Sequence, residues 1–377
     1  MGTPDGNGAG KGRIALCLCG GGITGAMYEI GALAALDDLF EGTFHAGKFD
    51  LIVGTSAGAS VGAIVASGVS PRRLMRAMLD PDDDFFGLRR HDVYRLDVRA
   101  MLGAVRDIAK IVMVHMGKGA RGRFSAPELG KDLEDALPSG VFSLEHYEAF
   151  LTRFFQRHSL PTRFDDFPLE LYITANDLDS GHRIVFGERG WRDISVPRAI
   201  AASSAIPIFF EPVRINDRDF VDGGAGKVAH TDVAIRHGAR LIVVVNPMVP
   251  VRNVPSEHEL PTPLRGATRL RDKGLLTVWD QAARMNTKTK LHQGLRRWRS
   301  ERPDVTVLLL EPDERESALF FANAMNFEVR QRMLRYGYEC TVRQIRERSD
   351  ELVSSFGRCG VDFDPARLRR DPWRLHD

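Results

Sequence analysis

Short apolar runs alternate with amphipathic stretches along the first seventy residues of the chain. The runs at 13–19 (RIALCLC) and 49–53 (FDLIV) have the length and composition of buried strands. A glycine turn follows each run, and after the turns, at about 25–40 and 57–67, apolar residues recur at helical spacing. This order of strand, turn and helix predicts an α/β fold with a parallel sheet and crossover helices.

The pattern becomes mainly helical between residues 71 and 166. We interpret this block as a helical insertion, or cap, on the sheet domain. Further strands are predicted at 169–175, 183–186 and 241–246, where strand-length apolar runs return. A largely helical region follows, with one last strand predicted at 305–310.

The predicted organisation therefore has three parts. Residues 1–12 are polar and glycine-rich, as in a flexible tail. Residues 13–250 form the sheet domain with its insertion. Residues 251–377 form a mainly helical region that is expected to pack on that domain.

The composition is that of an ordinary globular protein, with 43% hydrophobic and 27% charged residues and a formal net charge of +2. This balance makes no case for nucleic-acid binding, and the four cysteines lack the spacing of zinc ligands. The first dozen residues lack the apolar segment of a signal peptide, and no run reaches the roughly 18 apolar residues of a membrane span. We therefore expect a cytoplasmic protein, with peripheral contact to a membrane surface left open.

The first candidate for chemistry is the run GTSAG at 54–58. A serine between glycines, directly after an apolar strand and before a helix, is typical of a nucleophile elbow. Gly54 and Gly58 carry no Cβ where helix and strand come close, and the Ser56 hydroxyl is left at the carboxyl end of the sheet. GxSxG alone also occurs in ordinary turns, but this context predicts a nucleophilic serine.

A second candidate is the glycine-rich turn between the first strand and the first helix. Main-chain N–H groups at a helix start have no intrahelical partner and can bind an anion. The turn matches the G-x-G-x-x-G pattern of dinucleotide sites, and it would serve equally as an oxyanion hole. The second strand ends in the serine turn and not in an acidic residue, which favours the oxyanion hole. The residues of the turn are Gly20, Gly21, Gly22, Ile23, Thr24 and Gly25.

The third candidate is Asp222, the first residue of the run DGG at 222–224. An aspartate followed by glycines is often just a turn, but a nucleophilic serine needs a base. His230 and His237 follow Asp222 in the chain order of a Ser–Asp–His triad. A triad therefore stays open beside a direct serine–aspartate dyad.

Taken in order, the three motifs resemble those of the patatin-like phospholipase family. That family combines a glycine-rich oxyanion loop, a GxSxG elbow and an Asp-Gly-Gly/Ala motif, and it uses a Ser–Asp dyad without a histidine. The stretches 202–210 (ASSAIPIFF) and 174–186 (TANDLDSGHRIVF) are also similar to segments of the family. The resemblance covers about residues 13–250.

The resemblance implies a three-layer α/β/α fold with a mostly parallel central sheet, a helical cap and a largely helical C-terminal extension. It implies a serine lipid acyl hydrolase of the phospholipase A or lysophospholipase type, acting on lipid esters without a metal or an organic cofactor. An acylglycerol lipase, a transacylase and a non-catalytic lipid-binding protein of the same fold stay open, as does the oligomeric state. The implied site consists of the nucleophile Ser56, the proton acceptor Asp222, the oxyanion turn Gly20–Gly25 and the supporting glycines Gly54, Gly58, Gly223 and Gly224.

One position departs from the family pattern. Many members have arginine or lysine before the last glycine of the oxyanion loop, where this chain has Thr24. The main-chain donors do not depend on that side chain. The turn itself, however, brings no positive charge to an oxyanion or to a phosphate head group.

One helix of the predicted insertion carries a continuous apolar face, followed by a basic loop at 117–123. Two interpretations are open. It is a lid or interfacial helix that meets acyl chains and anionic lipid head groups, or a core helix of the cap followed by a solvated loop. We assign the face to the core of the cap and leave the loop open between the two. The residues of the face are Met101, Leu102, Val105, Ile108, Ala109, Val112, Met113 and Met116.

Overall fold

A computed structural model describes most of the chain. The predicted tail lies outside the described residues, apart from its last residue. The described ranges are 12–39, 49–80, 82–93, 95–96, 98–121, 123–254, 268–314, 316 and 327–358.

Eleven strands form two sheets within these ranges. Numbered in chain order, they are β1 (Arg13–Leu18), β2 (Leu51–Thr55), β3 (Arg95–Leu96), β4 (Gly140–Ser143), β5 (Glu170–Asp177), β6 (Arg183–Phe186), β7 (Ile208–Phe210), β8 (Val213–Ile215), β9 (Arg218–Asp222), β10 (Ala239–Val245) and β11 (Thr306–Leu310). The described helices, numbered likewise, are α1 (Gly22–Leu39), α2 (Ala57–Ala66), α3 (Pro71–Leu79), α4 (Arg90–Val93), α5 (Val98–Ala120), α6 (Ala126–Asp135), α7 (Glu145–Arg157), α8 (Val196–Ser203), α9 (Thr231–Arg236), α10 (Leu275–Glu301), α11 (Phe327–Glu347) and α12 (Ser349–Arg358).

The larger sheet has eight strands in the order β11-β10-β1-β2-β5-β9-β8, with β6 also paired to β5. The pairings from β11 to β5 are parallel, whereas β6, β8 and β9 join in antiparallel fashion. Leu16 of β1, for example, lies opposite Val243 in β10 and Ile52 in β2. The central sheet is therefore mostly parallel, which confirms the predicted fold class.

Helices cover both faces of this sheet. Side chains alternate along each strand, so the apolar strands present apolar side chains to both faces. Leu16 and Leu18 of β1 point into a large core that includes residues of α1, α2, α3, α7, α8 and α11. Cys17, between them, points into a smaller core with α9 and α10. Since both faces of β1 are buried, the strand reads as one continuous apolar run.

The insertion differs from a purely helical cap. It contains β3 and β4, and β4 pairs with β3 on one side and with β7 on the other in a second, three-stranded sheet. Helices α3 and α7 bury residues such as Leu74 and Leu151 in the main core, so they belong to the outer layer of the sheet domain. Helices α5 and α6 form a hairpin beyond this core, and α6 buries none of its residues.

The apolar face of α5 is exposed, so its assignment to the core of the cap was wrong. His115 of the same helix is buried. Periodicity identifies an apolar face, but it cannot say whether that face meets the protein or the solvent. The exposed members of the face are Met101, Leu102, Val105, Ala109, Val112, Met113 and Met116.

The chain after residue 250 continues the same sheet and the same cores. β11 pairs in parallel with β10, and α11 packs along α1. Helix α10 buries Arg284, Thr287 and Leu291 against the sheet domain. Across the described ranges, no helix is long and apolar enough to cross a membrane.

Candidate active site

Ser56 lies in a sharp turn between β2 and α2. Its backbone angles are φ 56° and ψ −130°, a conformation that costs a residue with a side chain about 1–3 kcal/mol. The turn packs so closely on β1 that a Cβ on Gly58 would lie 2.8 Å from the backbone of Leu18. The small residues of the GTSAG run therefore allow the reversal that leaves the serine at the strand end.

Asp222 is the last residue of β9, and the sheet register brings it to Ser56. Ala175 of β5 lies opposite Asp222. Thr174, the residue before it, lies opposite Thr55 of β2. The two site residues are therefore neighbours at one end of the sheet, and the Ser56 hydroxyl lies close enough to the Asp222 carboxylate to lower its pKa.

Burial determines the electrostatics of Asp222, which is 6% exposed. Desolvation raises the pKa of its carboxyl to about 6. The nearby Ser56 hydroxyl and the Gly224 N–H, which donates to the carboxylate at 2.6 Å, oppose this rise because they favour the ionised form. The carboxyl is thus a stronger proton acceptor than an ordinary aspartate and is still largely ionised above neutral pH.

Ser203 of α8 connects the serine turn to the rest of the sheet. Its hydroxyl accepts a hydrogen bond from the Ser56 N–H (2.8 Å) and donates one to the Thr174 carbonyl (2.7 Å). A second tie runs from the Asp222 N–H to the Ala205 carbonyl (2.9 Å). The sequence did not predict this role for Ser203. The one feature that included Ser203 was the similarity of the stretch ASSAIPIFF to a segment of the family.

A buried glutamate shapes the glycine-rich turn from behind. Glu29 of α1 accepts a hydrogen bond from the Gly20 N–H at 2.9 Å, while the N–H of the preceding Cys19 donates to the Val245 carbonyl at 3.1 Å. Desolvation raises the pKa of Glu29 well above its ordinary value. At the other end of the turn, the Gly25 N–H donates to the Gly21 carbonyl (3.1 Å). The N–H groups of Gly20 and Gly25 are therefore already occupied, and nothing in the sequence pattern pointed to Glu29.

The middle of the turn carries the remaining candidate oxyanion donors. Helix α1 begins at Gly22, so the N–H groups of Gly22 and Ile23 have no carbonyl partner within the helix. Gly21 and Gly22 line the same cavity as Ser56. Thr24 is buried in the first turn of α1 and is uncharged. Within the predicted oxyanion turn, Gly21, Gly22, Ile23 and Thr24 are therefore the residues whose N–H groups remain as candidate donors.

The two histidines of the alternative triad have other partners. His230 Nε2 lies 3.1 Å from the Gly223 carbonyl, and its Nδ1 lies 2.9 Å from an Arg183 guanidinium nitrogen. Because a carbonyl accepts and a guanidinium donates, the ring is neutral with its proton on Nε2. Burial lowers the pKa of His230 to about 3, which agrees with a neutral ring. His237 is hydrogen-bonded to the Tyr172 hydroxyl (3.1 Å).

Ser56 lies between two cavities of different character. One, of about 110 Å³, runs into the core between α1, α2 and the insertion and is almost wholly apolar. The other, of about 420 Å³, contains Asp222 and the glycine-rich turn. The apolar walls of the smaller cavity include Ile23, Met27, Ile64, Leu74, Met78 and Phe86.

Helix α10 forms one wall of the larger cavity. Trp279, Arg284 and Thr287 of this helix line it. Arg284 is 5% exposed, and its Nε donates to the carboxylate of Asp280 at 2.7 Å. Sequence reasoning found no motif that linked this helix to the serine turn, because the two are more than 200 residues apart.

The site combines a hydroxyl, a buried carboxylate that can accept its proton and main-chain donors at a helix start. This set is suited to nucleophilic attack on a carbonyl carbon and to stabilisation of the oxyanion that forms. Among the described residues, no three His, Cys, Asp or Glu side chains are grouped so that they could hold a metal ion.

Comparisons with known proteins identify the family of the chain. Residues 16–235 match the sequence model of the family described as Patatin-like phospholipase. No curated protein is significantly similar to the chain. The family match covers more than half of the chain and includes the glycine-rich turn, the serine turn and Asp222.

Solved structures align over most of the chain at low identity. VipD from Legionella pneumophila has 14% identity over 90% of this chain and 67% of its own, with a TM-score of 0.38. The type III effector ExoU has 12% identity over 92% and 58%, with a TM-score of 0.39. The SpcU–ExoU complex from the type III secretion system of Pseudomonas aeruginosa has 15% identity over 91% and 57%, with a TM-score of 0.32. The chain thus spans less than two thirds of the two ExoU structures. From the extent of the sequence match, the chain belongs to the patatin-like phospholipase family, a family of lipid acyl hydrolases.

Proposed function

We propose that this protein is a serine lipid acyl hydrolase of the phospholipase A or lysophospholipase type, with Ser56 as the nucleophile and Asp222 as the base. One observation carries the proposal: the Ser56 hydroxyl lies beside the buried Asp222 carboxylate and lowers its pKa, at the point where two cavities meet. A serine hydroxyl is a weak nucleophile until a neighbouring base takes its proton. Membership of the family supports the same chemistry in general terms.

In the first half-reaction, Ser56 Oγ attacks the ester carbonyl carbon while its proton moves to the Asp222 carboxylate. The N–H groups of Gly21, Gly22 and Ile23 donate to the oxyanion of the tetrahedral intermediate, and the positive end of the α1 dipole adds to this stabilisation. The intermediate then collapses. The alcohol leaves with the proton from Asp222, and an acyl ester of Ser56 remains.

In the second half-reaction, a water molecule gives a proton to Asp222 and attacks the acyl carbonyl. Ser56 leaves as the intermediate collapses and recovers the proton, and the fatty acid is released. Asp222 returns each proton that it accepts, so the cycle closes without a cofactor. His230 has no part in this path, because its two ring nitrogens are used by Gly223 and Arg183.

We assign the two cavities to the two parts of the ester. The apolar cavity receives the fatty-acyl chain, since burial of each methylene group is favourable by about 0.8 kcal/mol. The larger cavity, with the polar residues of α10 in its wall, receives the alcohol part. In this assignment residues 13–250 provide the reacting groups, and the region after residue 250 contributes to substrate binding.

Labelling of the full chain with a fluorophosphonate probe tests the nucleophile. We expect one label on the wild type, at Ser56, and none on Ser56→Ala. Ser204→Ala is a matched control, since Ser204 lines the same apolar cavity and its hydroxyl has no hydrogen-bond partner among the described residues. Labelling of folded Ser56→Ala, or its absence from folded wild type, would contradict the proposal.

Turnover assays test the base and the substrate. Asp222→Asn should slow hydrolysis of a soluble short-chain ester by about 10²–10⁴-fold, as expected for the loss of a general base. A panel of phospholipids, lysophospholipids and acylglycerols then identifies the preferred ester. Preference for acylglycerols, or acyl transfer to an alcohol in place of water, would favour the lipase or the transacylase over a phospholipase.

A further inference from the structure

Helix α5 carries an apolar stripe that faces away from the protein. At about 100° per residue, six large apolar side chains fall within an arc of roughly 120° around the helix. A contiguous exposed apolar surface of this kind is characteristic of a binding surface. The exposed fractions in this set, called the α5 stripe below, are Met101 43%, Leu102 65%, Val105 65%, Val112 42%, Met113 64% and Met116 70%.

Polar contacts with α6 fix the orientation of α5. His115 is 2% exposed, and its Nε2 lies 2.9 Å from the Asp132 carboxylate. Lys118 donates to Glu128 at 3.1 Å. These residues lie on a different side of α5 from the stripe, and they engage acidic side chains of α6. The α5 stripe is therefore held outward by contacts that do not involve it.

The surface beside the stripe is basic. Residues 101–123 contain five lysines and arginines and a single acid, Asp107, although the whole chain has 52 basic and 50 acidic residues. Two of these cations, Arg106 and Lys110, adjoin the stripe on the helix surface and also contact Asp107. An apolar stripe with a basic border complements a bilayer that contains anionic lipids. The five basic residues are Arg106, Lys110, Lys118, Arg121 and Arg123.

The α5–α6 hairpin emerges beside the cavities that contain Ser56. β3 leads into the hairpin, β4 leads out of it, and β4 also pairs with β7. Phe210 of β7 lines both cavities. Val93 before the hairpin and Leu144 after it line the apolar cavity. A membrane in contact with α5 would therefore lie near the site that takes the acyl chain.

We propose that α5 binds the surface of an anionic lipid bilayer, with the α5 stripe in the interface between head groups and acyl chains. An amphipathic helix of this kind lies in the plane of the interface. A second copy of the chain fits the stripe less well, because a two-fold contact along α5 would bring two basic borders together. The biological reason for this binding rests on the proposed function, because a lipid substrate must come from a lipid phase. The binding itself does not depend on that function.

Co-sedimentation with lipid vesicles tests the binding. The full chain is used as Ser56→Ala, so that lipid is not consumed. We expect it to bind vesicles of phosphatidylcholine mixed with phosphatidylglycerol, more weakly at high salt, and to bind phosphatidylcholine alone poorly. Adding Leu102→Glu and Met113→Glu should weaken binding about tenfold or more, since both side chains lose their apolar burial. Val353→Glu, which changes a 40% exposed valine on α12, should leave binding unchanged.

Hydrolysis of a soluble short-chain ester separates binding from chemistry. With Ser56 intact, the Leu102→Glu/Met113→Glu variant should hydrolyse this ester at the wild-type rate. Equal vesicle binding by the stripe variant and its parent, or no binding by folded Ser56→Ala, would overturn the membrane proposal whatever the esterase result. A wild-type dimer that becomes monomeric in the stripe variant would assign the surface to a second copy and would also overturn it. Failure of the proposed function would appear separately, as absent probe labelling.

Discussion

His230 Nε2 donates a hydrogen bond to the carbonyl oxygen of Gly223, 3.1 Å away, in the residue that follows Asp222. His230 is therefore a positioning residue for the turn that carries the proposed base. His230→Ala would leave a buried carbonyl unpaired, at a cost of about 1–3 kcal/mol. We expect a lower kcat and an unchanged pH profile, because the pKa of His230, about 3, lies outside the working range.

The matched control for this histidine is His237→Ala, which changes the other member of the alternative triad. Its contacts with Tyr172 and Glu188 lie away from Ser56, so esterase activity should stay near that of the wild type. If His230→Ala instead abolished fluorophosphonate labelling as completely as Ser56→Ala, a triad would be the better description. Rates for both variants between about pH 5 and pH 8 decide the question.

The raised pKa of Asp222 predicts the pH dependence of turnover. The carboxyl must be ionised to accept the Ser56 proton, and its pKa is about 6 because of desolvation. The value of kcat/KM should therefore rise with pH, with a midpoint about 6, and reach a plateau above neutral pH. A flat profile from about pH 5 to pH 8, or a midpoint near that of an ordinary aspartate, would speak against Asp222 as the base.

The raised pKa of Asp222 also predicts an effect on stability. The ionised carboxylate that turnover requires makes the folded state less stable. The folded-state pKa of Asp222 is about 6, above its ordinary value of 3.8, so folding favours the protonated form. This stabilising contribution is fully present below about pH 4 and is lost as the pH rises through 6, which leaves the ionised fold less stable by roughly 3 kcal/mol. Asp222→Asn is neutral at every pH and should raise the free energy of unfolding near neutral pH while turnover falls.

Urea denaturation of Asp222→Asn and wild type at about pH 8 and about pH 4 provides the measurement. The difference in the free energy of unfolding should favour the asparagine variant at the higher pH and shrink at the lower pH. Equal differences at the two pH values would show that burial does not perturb this carboxyl in the folded state.

Glu29 is predicted to hold the oxyanion turn through its contact with the Gly20 N–H. Glu29→Gln keeps an accepting oxygen in the same place and should retain most of the activity. Glu29→Leu removes the acceptor and leaves the Gly20 N–H buried without a partner, at a cost of about 1–3 kcal/mol. We expect Glu29→Leu to lower kcat more than it changes KM, with circular dichroism used to verify folding. Equal activity in the two variants would remove Glu29 from the set of positioning residues.

Two glycines of the oxyanion turn offer a matched steric test. Gly20 has φ 81°, and a Cβ there would lie 2.5 Å from the Thr55 carbonyl oxygen and 2.8 Å from the Ser56 Cβ. Gly22 has φ 65°, but a Cβ there would meet no atom within 4 Å. Gly22→Ala should therefore lower the stability of the fold only through its positive φ, by about 1–2 kcal/mol. Gly20→Ala should add a steric clash that displaces Ser56. Similar Tm values and activities for both variants would contradict this difference.

The amino-acid sequence by itself determined the local elements and the chemistry that they carry. Two apolar runs, each followed by a glycine turn and a helical stretch, were enough to predict parallel strands with crossover helices. The GTSAG run, the glycine-rich turn and Asp222 identified the family, because each motif encodes a backbone shape that few other residues allow. These features are local in the chain, and local periodicity and turn chemistry report on them directly.

Tertiary structure decided which of these groups meet and in what state. The Ser56–Asp222 contact depends on strand register across β5, and the raised pKa of Asp222 depends on burial by several separate elements. The roles of Ser203, Glu29 and His230 rest on hydrogen bonds between residues that no sequence pattern connects. The α5 stripe was visible in the sequence, but its outward direction was not. An apolar periodicity fixes which side chains share a face, and the packing of the rest of the chain fixes what that face meets.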